Sequence, residues 1–358
     1  LDGLPLALEL AAARARLFAP AAMLERLKGR LPFLAGRSRN LPTRQTTLYA
    51  AIDWSYTLLT PAERALFDRL SVFVGGFTAS AAAQVVDGVE ESDMLERLAG
   101  LADQSMLRIL PADEAGAEPR FRMLTLLREY AGEHLAGQGE LDAIRRRHAV
   151  TFLALAKQGD HELRGPAQLA ALRRLEADHD NVRAALDWSL DQPEPDASLG
   201  LALAAALGWF WYLRDFRHEG NDWLSRAMAA APDASPCVMA HAAQARGVML
   251  SALGRFEEAV ALCQRSLDLF ALDPDAIGQG GALACLGRAE SRQKRYAPAL
   301  ALNMEAAATF RAAGDCFGES LALRNAGDSS RLSGRYEEAE RQYRQALALG
   351  HASGGGWA

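Results

Sequence analysis

The C-terminal part of the sequence repeats every 40 residues, and this period constrains the fold more than any other feature. An aromatic residue recurs after a short polar turn in each unit, at Phe216, Phe256, Tyr296 and Tyr336. Two sets of small residues keep the same spacing, Gly247, Gly287 and Gly327 and then Ala259, Ala299 and Ala339. A fixed period of this size predicts a solenoid of helix pairs, in which each pair buries its apolar face on its neighbours.

Each unit has the pattern of one helix, a short turn and a second helix, here called helix A and helix B. The small residues allow helix A to approach helix B closely, and the aromatic is expected to fill the space between them. This resembles the tetratricopeptide repeat (TPR), whose usual period is about 34 residues. The extra residues fit in loops such as 271–280 and 312–318.

About four such units cover the predicted domain 196–358, and the chain stops within the array. The first unit departs from the pattern because bulky aromatics stand where later units have small residues. We assign them to a seam with the preceding segment: Trp209, Phe210, Trp211, Tyr212 and Trp223. The missing initial Met and the unfinished array indicate a piece of a longer protein.

Residues 46–136 follow a different pattern, with several helices, then two short apolar runs around a polar loop, then a closing helix. Thr60-Pro61-Ala62-Glu63 predicts a helix start with a capping box and Pro at the first position. The two runs, MLRIL and RFRML, predict a β-hairpin. Helices followed by a hairpin describe a winged helix-turn-helix.

The remaining segments are expected to be helical. Residues 1–45 hold two helices, and 137–195 form a helical linker with a basic run at 145–148. That run is either a nucleic-acid contact or one solvated helix face, and we favour the solvated face. The predicted fold class is therefore mainly all-α: a helical subdomain, a winged helix with a small hairpin, and a TPR-like solenoid.

Several chemistries are disfavoured by composition. None of the three lysines follows a glycine, so the chain lacks the Gly-Lys-Ser/Thr signature of a phosphate-binding loop. The four cysteines include no C-x-x-C pair and the histidines no H-x-x-x-H spacing, so a zinc site or disulfide framework is not expected. No nucleophile–base pair is recognisable either. We expect no metal, no catalytic residues and no enzyme activity in these 358 residues.

Charge argues against nucleic acid as a partner. The whole chain has a formal net charge of −6, and 46–136 carries seven arginines against fourteen acidic residues. The helix in the recognition position, roughly 93–104, carries three acids and a single arginine. Phosphate binding needs several cations on that face. We therefore expect no direct DNA binding, although the winged-helix fold by analogy favours it.

Membrane insertion is not expected either. The stretch 197–213 carries no charge, is rich in alanine and falls within the repeat array. It is shorter than the stretch of about 20 strongly apolar residues that a membrane span needs. The chain is expected to be cytoplasmic.

The block 44–78, RQTTLYAAIDWSYTLLTPAERALFDRLSVFVGGFT, together with Gly3-Leu4-Pro5-Leu6-Ala7 opening a helix, resembles the back half of NB-ARC-type signalling ATPases. The order of helical subdomain, winged helix and TPR array is similar to that of bacterial STAND transcriptional regulators with AfsR-like or LuxR-like architecture. The resemblance spans nearly the whole chain.

The resemblance implies two contacts with ADP or ATP in the full-length protein, although none is expected on this chain alone. Gly3, Leu4 and Pro5 would lie on the adenine side. Met123, Leu124 and Thr125 match the Met-His-Asp motif of the winged helix, but Leu124 stands where the phosphate-sensing His would be. Leucine cannot bind phosphate, and Thr125 is expected to cap the next helix.

The leading hypothesis is the regulatory portion of a STAND-type nucleotide switch. Its TPR array would bind a protein, peptide or small-molecule signal on the concave face and couple it to an ATPase core absent from this chain. Homo-oligomerisation on activation follows from the same resemblance. Helix A supplies the groove residues, Arg246, Arg288, Arg324 and Asn325. The alternative is a stand-alone TPR scaffold for protein–protein interaction, without nucleotide dependence.

Overall fold

The computed structural model describes residues 48–111, 118–191 and 196–352. Within these ranges it contains 17 α-helices and one three-stranded sheet. The chain divides into two compact units, 1–151 and 152–358, so the boundary falls within a helix. The predicted segment 1–45, including Gly3, Leu4 and Pro5, lies outside the described residues.

The first unit is a small helical domain with a β-sheet. Its elements in chain order are α1 Leu48–Leu58, α2 Pro61–Arg69, a 3-10 turn Leu70–Val72, β1 Gly76–Thr78, α3 Ala79–Val86, α4 Glu91–Asp103, β2 Arg108–Leu110, β3 Arg120–Arg122, α5 Thr125–Gly137 and the start of α6 Leu141–Glu162. The predicted all-α class with a small hairpin is confirmed.

The predicted capping box begins α2. The Thr60 backbone N–H donates to Glu63 Oε2 at 2.8 Å, and the Glu63 N–H donates to Thr60 Oγ1 at 3.3 Å. Two backbone donors that the helix leaves unpaired are thereby satisfied. Pro61 occupies the first turn, where its missing N–H costs nothing.

The sheet has one more strand than the predicted hairpin. Strands β2 and β3 pair antiparallel as expected, but β1 pairs with the other edge of β3, which gives the order β1-β3-β2. Phe77 of β1 lies opposite Phe121 of β3, and both side chains are buried. Strand β1 was not predicted, because its three residues, Gly76–Thr78, are too few to show an alternating pattern.

The first unit buries its basic run only in part. His148 on α6 is buried, with its ring 5.2 Å from that of Phe73. Arg146 and Arg147 are exposed, and Arg147 forms an ion pair of 3.3 Å with Asp87. The arrangement favours the solvated-face interpretation of the run over a nucleic-acid contact.

The second unit consists of helices only, among the residues described. After α6 come α7 Gln168–Ala177, α8 His179–Asp191, α9 Ala197–Ala206, α10 Gly208–Leu213, α11 Arg217–Ala230, α12 Pro236–Ala252, α13 Phe256–Leu272, α14 Ala276–Arg292, α15 Tyr296–Ala313, α16 Cys316–Leu332 and α17 Tyr336–Ala352. Helices α12 to α17 form three pairs with the predicted period.

The periodic glycines lie where helix A meets helix B. A Cβ atom added at Gly247 would lie 2.6 Å from Cys263 Sγ, and one at Gly287 would lie 2.6 Å from Asn303 Nδ2. At Gly327 it would lie 2.6 Å from a ring carbon of Tyr343. These separations are shorter than any van der Waals contact. The predicted close approach is therefore confirmed.

The periodic aromatics do not all fill the space between helices. Phe256 and Tyr296 are partly buried, whereas the Tyr336 side chain is 70% exposed and lines a cavity described below. The first pair also differs from the prediction, because 197–213 forms two helices, α9 and α10, rather than one.

One cysteine prediction is wrong. The structure joins Cys263 of α13 and Cys285 of α14 by a disulfide, with Cα atoms 6.2 Å apart and a sequence separation of 22. The sequence rules cover short-range cysteine pairs, whereas helix B and the next helix A bring distant positions together. None of the described helices is long and apolar enough to span a bilayer.

Candidate ligand site in the helix array

Helix α10, at the start of the array, carries two aromatic side chains, Trp209 and Tyr212, that together with Phe317 form what is here called the aromatic wall. Trp209 and Tyr212 lie three positions apart on one helix face, and their rings stack at 5.2 Å with an angle of 20°. The Trp209 ring also meets that of Phe317 on α16 edge-on at 6.2 Å. The first and the last pair of the array thus meet through aromatic rings. Trp209 and Tyr212 were predicted instead to pack against the segment that precedes the array.

Two arginines of the predicted groove lie beside this wall. Arg288 of α14 places its guanidinium 5.1 Å from the centre of the Tyr212 ring, a cation–π contact. Desolvation by burial, together with the nearby cations Arg292 and Arg324, lowers the pKa of Arg288, while Tyr212 opposes the shift. Among the described residues, no carboxylate is within ion-pair distance of Arg288.

The wall and the arginines enclose a cavity of about 560 Å³. This volume is typical of a site for one small organic molecule. Helix A residues of α14 and α16 provide one side and helix α17 the other. The residues that line the cavity include Trp209, Tyr212, Arg288, Phe317, Arg324 and Tyr336.

The charges around the cavity are mostly positive. Its lining contains Arg288, Arg324, Arg331 and Arg344 against a single acidic residue, Glu340. Arg344 forms an ion pair of 2.6 Å with Glu340, and Arg331 lies 3.6 Å from Asp328. Of the four arginines, Arg288 lies nearest to the aromatic rings of Trp209 and Tyr212.

The other two predicted groove residues lie elsewhere. The Arg246 guanidinium donates to Asn221 Oδ1 at 3.2 Å, and Arg246 lines neither this cavity nor the one described next. The Asn325 backbone carbonyl accepts a hydrogen bond from Ser329 Oγ at 3.0 Å, and Asn325 also lines neither cavity. The structure thus brings together Arg288 and Arg324, but not all four.

A second cavity of about 380 Å³ is lined by Cys237 and His241, two residues of metal-ligand type that were not predicted from the sequence as a site. Cys237 and His241 lie one turn apart on α12, and their ligand atoms and those of Asp275 all lie within 4.8 Å of one another. The spacing C-x-x-x-H was the available signal. His241 Nε2 is 2.8 Å from Asp275 Oδ2, and Asp275 also caps α14, so each side chain has a structural role.

The winged-helix residues matched to the nucleotide motif lie at the start of α5. Met123 is buried and Leu124 is the N-cap residue, without a side-chain cap hydrogen bond. Thr125 is the first helical residue rather than the cap, so its predicted capping role is wrong. An aliphatic Leu124 side chain offers no donor to a phosphate.

The exposed face of α4, the helix in the recognition position, is acidic. Glu91, Asp93 and Glu96 are exposed there, and Arg97 is the exposed cation beside them. Exposed Arg108 and Arg122 lie on strands β2 and β3. A helix with this charge repels the phosphates of a major groove.

Comparison with known proteins agrees with both parts of this architecture. A family model of the winged helix-turn-helix domain matches residues 59–136, and a tetratricopeptide repeat model matches residues 239–270. A protein of Mycobacterium tuberculosis described as an HTH-type transcriptional regulator is 38% identical over 233 residues, 63% of this chain. The regulatory protein AfsR of Streptomyces griseus is 27% identical over 342 residues, 88% of this chain.

The resemblance to AfsR-like transcriptional regulators is confirmed. The chain spans only 25% of the length of the mycobacterial relative and 34% of the Streptomyces AfsR protein. The activities of those whole proteins are therefore attributed to this chain only as proposals.

Among the solved structures that match is a STAND protein with a tetratricopeptide repeat sensor from Pyrococcus horikoshii. It is 17% identical, with a TM-score of 0.48, and the match covers 99% of this chain and 55% of that one.

Proposed function

We propose that this chain is the regulatory, signal-receiving portion of a STAND-type nucleotide-switch transcriptional regulator. The observation that carries the proposal is the cavity beside Trp209, Arg288 and Phe317, within a helix array related to AfsR-like regulators. A ligand held there contacts the first and the last helix pair together. It can therefore bias the curvature of the array, which is the kind of two-state element that a ligand shifts.

The switch itself requires an ATPase core outside these 358 residues. In the full-length protein this core would hold ADP or ATP, and Gly3, Leu4 and Pro5 would contribute on the adenine side. The degenerate position at Leu124 would leave phosphate sensing to other parts of the core. This chain would have no catalytic activity of its own, and a cytoplasmic location suits its role.

The output would come from a domain outside this chain rather than from its winged helix. The acidic exposed face of α4 supports this part of the proposal, in spite of the winged helix-turn-helix match. Binding of the signal would shift the protein out of its nucleotide-bound resting state. The protein could then form homo-oligomers.

The test begins with the parent reading frame. We expect a phosphate-binding loop within about 250 residues upstream of Leu1, the size of one further domain. The full-length protein is then purified, and release of a fluorescent ADP analogue is followed with and without the repeat array 196–358. Removal of the array should change the release rate, because the array holds the resting state.

The stand-alone TPR scaffold is the alternative. It predicts a parent chain without a phosphate-binding loop and no nucleotide retention during purification. Identical release rates with and without the array would also contradict the switch. In that case the chain would be an adaptor that only binds partner proteins.

A further inference from the structure

We propose that the 560 Å³ cavity binds a small organic anion with a flat apolar body, its acidic group held by Arg288 and Arg324 and its body lying against Trp209, Tyr212 and Phe317. This names the ligand class of the proposed signal site and so rests on the proposed function.

The cationic side of the cavity points to the acidic group. Arg288 is partly buried against Tyr212, and the described residues place no carboxylate in ion-pair contact with it. A cation withdrawn from water costs free energy unless an anion or several hydrogen bonds compensate it. Arg324 lies close enough to affect it electrostatically, so the two like charges add to this cost. A carboxylate or phosphate between them would remove it.

The aromatic side points to a flat apolar body. The stacked rings of Trp209 and Tyr212 and the edge-on Phe317 offer a surface on which a planar group can lie.

The size of the cavity favours a small molecule over a peptide. At about 560 Å³ it matches the volume range of small-ligand sites. The Trp209–Phe317 contact, with ring centres 6.2 Å apart, also closes the space between the first and last pairs, where an extended peptide would have to pass.

The probe is 1-anilinonaphthalene-8-sulfonate, a flat apolar anion, with N-phenyl-1-naphthylamine as its neutral counterpart. Fluorescence titrations use the whole 358-residue chain and the variants Arg288→Met and Arg324→Met. Arg265→Met is the matched control, because Arg265 is an exposed arginine of α13 that lines neither cavity. We expect each cavity variant to weaken binding of the anionic probe about tenfold or more, the worth of one charge-assisted hydrogen bond. The neutral probe should bind all forms alike.

Thermal unfolding without a probe separates this result from misfolding. Arg288→Met should unfold at the same temperature as the wild type or higher, because methionine removes the uncompensated cation and keeps the apolar stem. A saturating anionic probe should then raise the midpoint of the wild type and not that of the variant.

Equal affinity of the anionic probe for the wild type and Arg288→Met would overturn the inference. So would parallel loss of both probes with a lowered midpoint, since Arg288 would then be structural. Displacement of the bound probe by an acidic hexapeptide but not by naphthalene carboxylate would show that the occupant is a peptide. None of these outcomes depends on nucleotide release by the parent protein. The proposed switch function and the proposed ligand class can therefore be tested separately.

Discussion

At the scale of single residues, the most unusual environment in the first unit is that of Asp68. Its carboxylate is fully buried, and Oδ2 accepts hydrogen bonds from Tyr56 Oη at 2.8 Å and Gln138 Nε2 at 2.9 Å. Oδ1 has no hydrogen-bond partner within the described part of the chain. Desolvation raises the pKa of Asp68, while the two hydrogen bonds and the nearby His134 and Arg64 oppose the shift.

This environment predicts an unusual pH dependence. A raised pKa means that the folded state binds the proton more tightly, so stability is highest below the unfolded value of about 3.9 and falls as pH rises through the folded pKa. Asp68→Asn lacks this loss, and its free energy of unfolding relative to the wild type should increase from pH 4 to pH 7. The increase is about 1.4 kcal/mol for each unit of pKa displacement.

Urea unfolding of the wild type and of Asp68→Asn at the two pH values measures this difference. Exposed Asp142→Asn serves as the matched control and should follow the wild type at both. A constant difference between Asp68→Asn and the wild type would show that burial does not perturb this carboxyl group.

At the scale of elements, the helix pairs depend on close approach at the periodic glycines. A side chain at 287 would enter the space occupied by Asn303, whose Nδ2 donates to the Ala299 carbonyl at 2.8 Å. Asn303 is fully buried, so it cannot move aside into solvent. The glycine is therefore retained against its helix propensity, which is about 1 kcal/mol poorer than that of alanine.

Alanine substitutions at two helical glycines distinguish the effect of close helix packing from the effect of helix propensity. Gly287→Ala should destabilise the protein by about 1–3 kcal/mol, the usual cost of overpacking a core. Gly100→Ala in α4 is the matched control, because no atom lies within 4 Å of the added Cβ, and it should be stabilising by up to about 1 kcal/mol. Denaturant unfolding followed by circular dichroism measures both. Stabilisation of both variants would refute the packing argument.

At the scale of the whole molecule, charge governs the partners. The chain carries a net charge of −6, and the exposed face of α4 carries the acids Glu91, Asp93 and Glu96. Acidic surfaces and duplex DNA repel each other, so this face disfavours nonspecific DNA binding. The cationic cavity in the second unit is a local exception, which makes it selective for small anions.

The chain should therefore not shift a random DNA duplex in gel electrophoresis at roughly 10 µM protein and about 0.15 M salt. The triple variant Glu91→Lys, Asp93→Lys and Glu96→Lys reverses the charge of α4 and should gain salt-sensitive binding. Retardation by the unaltered chain would instead assign the winged helix a direct role in DNA recognition.

Features that depend on neighbouring residues or on a regular period are predictable from the order of the amino acids. The capping box at Thr60, the helix pairs and the close approach at Gly247, Gly287 and Gly327 are of this kind. Hydrogen bonds between residues three or four apart and a fixed 40-residue spacing are visible without coordinates.

Features that join distant segments of the chain depend on how the helices and strands pack in three dimensions. Strand β1 exists because Phe77 meets Phe121, and Cys263 meets Cys285 because adjacent pairs pack side by side. The cavity requires Trp209 and Phe317 to meet through the winding of the array. A periodic sequence specifies each helix pair, but the small rotation between pairs, set by side-chain packing, determines which distant residues come together.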